Sequence, residues 1–163
     1  MTQKSAVNGT KNQSSFSELL DTHRHLEELF YNHQEALLDL DVSRALQVLL
    51  QFEVELKKHI ELEEEHLMPI YKMTDFSKGG APEIFINEHR KLVSLLCDLR
   101  KNLEILISRP HIEKKNIIAI LDSETMFKKV FSHHDKLEEA LFFPALDSVT
   151  NPDERRKLLD LCL

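Results

Sequence analysis

Tryptophan is absent from this 163-residue sequence, and glycine (3), cysteine (2) and proline (5) are scarce. So few turn-forming residues argue against a chain of many short strands. With Leu, Glu and Lys abundant, the composition reads as mostly helical. Cys97 and Cys162 show no CxxC spacing. They offer no disulfide framework and point to a reducing compartment, so the expected location is cytoplasmic. No run of about 18 apolar residues exists, which excludes a membrane-spanning helix. The polar stretch from Met1 to Ser14 has no signal-peptide core. A net charge of −7 makes nucleic acid an unsuitable partner. The length fits a single domain with a real core.

Residues 1–14 are rich in Ser, Asn, Thr and Lys and are expected to be disordered, leaving 15–163 as the folded unit. Four long helical patterns follow. The first, from about Phe16 to Leu40, carries the stripe Leu19, His23, Leu26, Phe30, His33 and Leu37. The second, N-capped by Asp41 and running to about Lys72, carries Ala45, Leu49, Phe52, Leu56, His59, Glu63, His66 and Ile70. The third, from Pro82 to about Ile107, carries Phe85, His89, Leu92, Leu96, Leu99, Leu103 and Leu106. The fourth, from about Lys114 to Ser148, carries Ile117, Ile120, Glu124, Phe127, Phe131, His134, Glu138, Leu141 and Ala145. Steps of three and four are those of a buried helical seam. A short helix after Pro152 would cap one end with Leu158, Leu159 and Leu161. Short connections between long helices predict an all-α, up-down-up-down antiparallel four-helix bundle with a short C-terminal helix.

His59-Ile60-Glu61-Leu62-Glu63-Glu64 returns as His134-Asp135-Lys136-Leu137-Glu138-Glu139, and Pro69 and Pro144 follow at one offset. His23-Arg24 likewise returns as His89-Arg90. The chain is therefore an internal repeat. Its first and third helices each offer one inward histidine; its second and fourth each offer His-x-x-x-Glu. Residues four apart share a helix face with Cβ atoms roughly 6 Å apart, so each imidazole and its carboxylate can reach one ion or bridge two. Buried in an apolar seam, His23, His59, Glu63, His89, His134 and Glu138 are costly unless paired or ligated. A pair of metal ions satisfies all six. Two octahedral ions offer roughly twelve positions, of which four nitrogens and four carboxylate oxygens fill eight, leaving an open site.

This HxxxEE…P pattern, taken with lone histidines on the other two helices, resembles the hemerythrin-like (HHE cation-binding) domains over about Phe16 to Leu146. The resemblance implies a non-haem centre of two iron ions (Fe2+/Fe3+). Glu63 and Glu138 would bridge them together with an oxo or hydroxo group, and the four histidines would be terminal ligands. It also implies binding of O2 or a related diatomic. The sequence departs from the marine-worm oxygen carriers. Phe85 and Val93 flank His89, so no HxxxH pair stands on the third helix, and the fourth-helix carboxylate is Glu138 in HxxxE. One histidine fewer shifts the expectation from reversible carriage to sensing, iron handling, or peroxide and nitric oxide chemistry. The ligand pattern is closer to iron–sulfur-repair proteins and iron-sensing hemerythrin domains. A weak oxidase or peroxide activity is the one enzymatic expectation. The alternatives are an iron-responsive regulatory module, iron storage, and a metal-free structural bundle. No feature names a protein partner. A ferritin-like Glu-x-x-His pattern occurs once, at Glu63–His66, but its counterpart ends in Leu141.

Other candidates read more blandly. His25, His133 and His111 are expected at the surface. Glu64 and Glu139 are expected to face water or a lysine, with a metal role left open for Glu64. His66 is expected as a core or supporting histidine. His33 and Glu124 are expected to meet as a buried pair at the end of the bundle away from the metals. Met68, Met73, Phe52, Phe127, Phe131 and Phe142 are expected in the core.

Overall fold

The computed structural model describes residues 14–76 and 79–163. The expectation of disorder for residues 1–14 lies, but for Ser14, outside the described residues. A 3-10 turn (Phe16–Leu19) leads into α1 (Leu20–Leu38). Ser15 and Glu18 form a capping box at its start, which satisfies donors that a helix end leaves orphaned. α1 ends with Leu40 at φ +61°, in the left-handed region, and the N–H of Asp41 donates to the Ala36 carbonyl (3.0 Å). That bond closes the helix in the manner of a Schellman motif. The chain reverses at once, because the Asp41 side chain accepts from the N–H of Arg44 and caps α2 (Val42–Leu62).

The second helix continues through a π turn (Glu63–Leu67) into α3 (Met68–Tyr71). After a loop come α4 (Pro82–Ile107) and α5 (Lys114–Ser123). Then α6 (Thr125–Leu137) runs through a second π turn (Glu138–Phe142) into α7 (Phe143–Val149). α8 (Pro152–Cys162) follows, capped by Asn151. All described elements are helical; α1 packs on α2, α2 on α4, and α4 on α6. Among the described residues, no helix is long and apolar enough to cross a membrane.

The π turns explain the recurring prolines. A proline inside a helix has no N–H to donate, and its ring opposes the carbonyl four residues back. Widening the turn relieves both. The N–H of Met68 reaches Glu63, and that of Phe143 reaches Glu138, each five residues back. The extra residue also rotates everything downstream. The expected stripe positions His66 and Ile70, Leu141 and Ala145 are therefore only half-buried. Leu67, Met68 and Tyr71, with Phe142, Phe143 and Leu146, fill the core instead.

Three further expectations are corrected. The fourth helix is broken at Glu124, where the Ser123 hydroxyl donates to the Ile120 carbonyl (2.7 Å) and competes with the helix ladder. Met73 lies past the end of α3 and is exposed. In α8, Leu159 and Cys162 are buried, while Leu161 faces outward.

The core is split in two. One cluster, built on Leu26, Phe30, Leu49, Phe52, Leu96 and Phe127, fills one end. The other, built on Phe16, Leu67, Tyr71, Phe85, Phe142 and Leu146, fills the opposite end with α8 against it. Burying each such side chain contributes about 1.5–3 kcal/mol. Between the two clusters lies a polar layer.

Candidate metal centre

The polar layer holds all six expected residues. His23, His59, Glu63, His89, His134 and Glu138 are each at most 5 % exposed. Their side-chain donor atoms form two sets, His23–His59–Glu63–Glu138 and Glu63–His89–His134–Glu138, with the atoms of each set within 4.8 Å of one another. Both glutamates belong to both sets. Glu63 stands with Oε1 3.2 Å from His59 Nε2 and Oε2 3.5 Å from His89 Nε2. Glu138 stands with Oε2 3.2 Å from His23 Nε2 and Oε1 3.1 Å from His134 Nε2. Each carboxylate thus turns one oxygen to either set.

Within a set the histidines converge. His23 and His59 bring their Nε2 atoms to 2.9 Å, and His89 and His134 to 3.1 Å. Among the described residues, both oxygens of Glu63 and Oε2 of Glu138 make no hydrogen bond. Buried carboxylate oxygens without donors are rare and costly. Converging nitrogens beside unsatisfied carboxylates suit a divalent cation of the iron type.

The electrostatics are those of a site held by its own charges. Burial works to lower the pKa of His89, but Glu138 and Glu63 outweigh it and push it up to about 9. His134 is likewise raised, against burial, chiefly by Glu138. Glu138 is held well below the carboxylate range, against burial, chiefly by His134. His59 goes the other way: burial lowers it, despite Glu63.

Three carboxylates stand behind the rings; the sequence had singled out Glu64 but not Glu88 or Asp135. The Nδ1–H of His89 donates to Glu64 Oε1 at 2.8 Å. The Nδ1–H of His134 donates to Glu88 Oε2 at 3.3 Å, while the other Glu88 oxygen meets His133 Nδ1 at 2.7 Å. His23 Nδ1 faces Asp135 Oδ1 at 3.5 Å, and burial raises Asp135 to about 6. The hydrogen bonds from His89 and His134 fix which nitrogen of each ring is free to ligate and how the ring is turned. Glu64 was expected to face water. Its side chain is 40 % exposed, and its Oε1 also meets His89. Glu88 and Asp135 are sequence neighbours of His89 and His134, the one signal that pointed to them. His66 joins neither set. His25, His111, His133 and Glu139 are exposed, as expected.

The expected pair away from the site is present. His33 Nε2 lies 2.8 Å from Glu124 Oε1, and its Nδ1–H donates to the Ala45 carbonyl at 2.8 Å. Gln34 donates to the other Glu124 oxygen at 2.7 Å.

A model of the family described as the hemerythrin HHE cation binding domain matches residues 14–146, a span that contains every residue of both donor sets. No curated protein and no solved structure matches the chain.

Proposed function

We propose a function from one premise: the chain belongs to the hemerythrin HHE cation-binding domain family. It holds two iron ions, one among His23, His59, Glu63 and Glu138, the other among Glu63, His89, His134 and Glu138. It presents them to O2 or a related diatomic. The observation that supports this most is the sharing of both carboxylates between the two donor sets. A single-ion site would need neither the second pair of histidines nor the turning of each carboxylate to both sides. Four nitrogens and four oxygens leave about four of roughly twelve octahedral positions for an oxo or hydroxo bridge, water and a small ligand. Bound ferrous iron would supply the electrons that such a ligand accepts.

The chain's own residues set the conditions. Apolar clusters on both sides exclude bulk water, and the Phe143 ring lies 5.8 Å from that of His23. In so dry a layer, charge interactions are stronger than in water. Glu64 and Glu88 hold His89 and His134 with their Nε2 atoms turned inward. The up-down-up-down arrangement of the four long helices belongs to this reading. It is supported by the sequential packing of α1, α2, α4 and α6 and by the tight reversal at Leu40.

A second reading is favoured by the split core. Without ions, the layer between the clusters holds buried carboxylates that make no hydrogen bond. Ion binding would then order the bundle, and an iron-responsive module would follow without O2 chemistry. Elemental analysis and absorption spectra before and after O2 reaches anaerobically loaded protein separate the two. Two irons per chain and new O2-dependent bands are expected. Iron without an optical response to O2 would leave only the iron-responsive reading, and absence of iron would end both.

A further inference from the structure

The two halves of the site are not equivalent towards solvent. Three of the four histidine rings face a carboxylate from behind, through Glu64, Glu88 and Asp135. Among the described residues the Nδ1 of His59 has no such partner. The internal repeat shows why. The offset that relates His23 to His89 relates Thr22 to Glu88. Glu88 fills the space beside His134; the shorter, uncharged Thr22 leaves the corresponding space beside His59 open. That space is a cleft of about 400 Å³, lined by Thr22, His25, Glu55, Lys58, His59 and Cys162 among others.

From this we propose that the cleft is the port by which metal ions reach and leave the buried pair, with His59 as the ligand that swings aside. The inference rests on the two-ion reading above. An ion in a buried cage leaves only when one ligand turns away and water takes its place. The ring that turns most easily has no carboxylate behind it and abuts open space. Only His59 meets both conditions. Glu64, Glu88 and Asp135 stand behind the other three rings, and the apolar clusters on the two sides of the layer are close-packed and do not yield to a hydrated ion. The lining also suits a cation better than an apolar gas. His25 and Glu55 stand paired at the mouth at 2.8 Å, half exposed. The Cys162 thiol and the His59 imidazole stand deeper. These are donors a divalent ion can step between.

The test is the rate at which a ferrous chelator extracts iron, without oxygen, from the full chain and from variants at Thr22. Thr22→Glu supplies His59 with the backing that Glu88 gives His134, and slows release about tenfold. Thr22→Leu fills the cleft without adding charge and also slows release. Thr22→Ala, a better helix former with a smaller side chain, folds and speeds release. All three retain two irons per chain and wild-type helicity. Equal release rates in Thr22→Leu, Thr22→Ala and the wild type overturn the port. So does a Thr22→Leu variant in which O2 access slows but iron release does not, since the cleft would then carry gas. A chain that binds no iron overturns both this inference and the function beneath it.

Discussion

The backbone N–H of Met68 donates to the carbonyl of Glu63, five residues back rather than four. This bond sets which residues follow Glu63 into the core. In an unbroken α-helix His66 would point inward. In the π register Leu67 does, at 0 % exposure. Leu67→Ala is therefore expected to cost about 2–5 kcal/mol, and His66→Ala under about 1 kcal/mol. Chemical denaturation of the two variants decides it; the reverse order would mean an ordinary helix through this segment.

Because Glu63 and Glu138 each turn an oxygen to both donor sets, neither can be lost from one site alone. Glu63→Gln is expected to abolish stable binding of both ions, whereas His59→Ala weakens one. Ion removal should also lower stability. With free ion a thousandfold above Kd, binding contributes about 4 kcal/mol. Melting curves with and without a chelator test this. Wild-type protein whose Tm ignores the chelator would refute an ion held between the clusters.

The carboxylates behind the rings act through the rings. Glu64→Gln and Glu88→Gln are each expected to weaken ion affinity roughly 10–100-fold with little change in the stoichiometry reached at excess ion. His25→Gln, at the surface, should leave affinity alone. Competition against a chelator of known affinity measures all three. Unchanged affinity in both glutamate variants would show that ring orientation comes from packing.

In the ion-free protein the His89 pKa is raised from 6.5 to about 9, because Glu138 and Glu63 outweigh burial. Stability from that attraction is fully present below 6.5 and is lost as pH rises through about 9. Denaturation midpoints of ion-free protein should therefore fall between these values. With ions bound the ring is held neutral and this slope should vanish. A slope of the same size in both forms would contradict the placement of His89 among the ligands.

His33 has an acceptor on each nitrogen, the Ala45 carbonyl and Glu124. Glu124→Leu removes one and also strands Gln34. Breaking a buried pair from one side costs about 3–5 kcal/mol. Glu124→Gln keeps a polar partner and should recover much of that loss. Metal content should not change in either variant. A Glu124→Leu variant as stable as wild type would make the pair dispensable.

The six donors could be found in the sequence because helical periodicity is local. His-x-x-x-Glu places two donors on one face wherever the helix lies, and the duplication announced two such faces. His33 and Glu124 were legible for the same reason: both interrupt an apolar stripe. Periodicity also misled, and in one specific way. The stripe was continued through Pro69 and Pro144 as though the helix were regular, so His66 and Leu141 were assigned places that Leu67 and Phe142 occupy. The prolines were visible; their effect on phase depends on which turn geometry relieves the ring at least cost to the core.

The sequence by itself determined the helical class, the repeat and the two-faced donor pattern, since each follows from spacing along one helix; the buried pair needed the further premise that the first and fourth helices lie side by side. Only the tertiary structure decided which carboxylate backs which histidine and why His59 has none. Glu64, Glu88 and Asp135 reach their rings across helix boundaries, from positions that no period along a single helix marks. The opening beside His59 arises because Thr22 meets it across α1 and α2, a meeting fixed by how the helices pack.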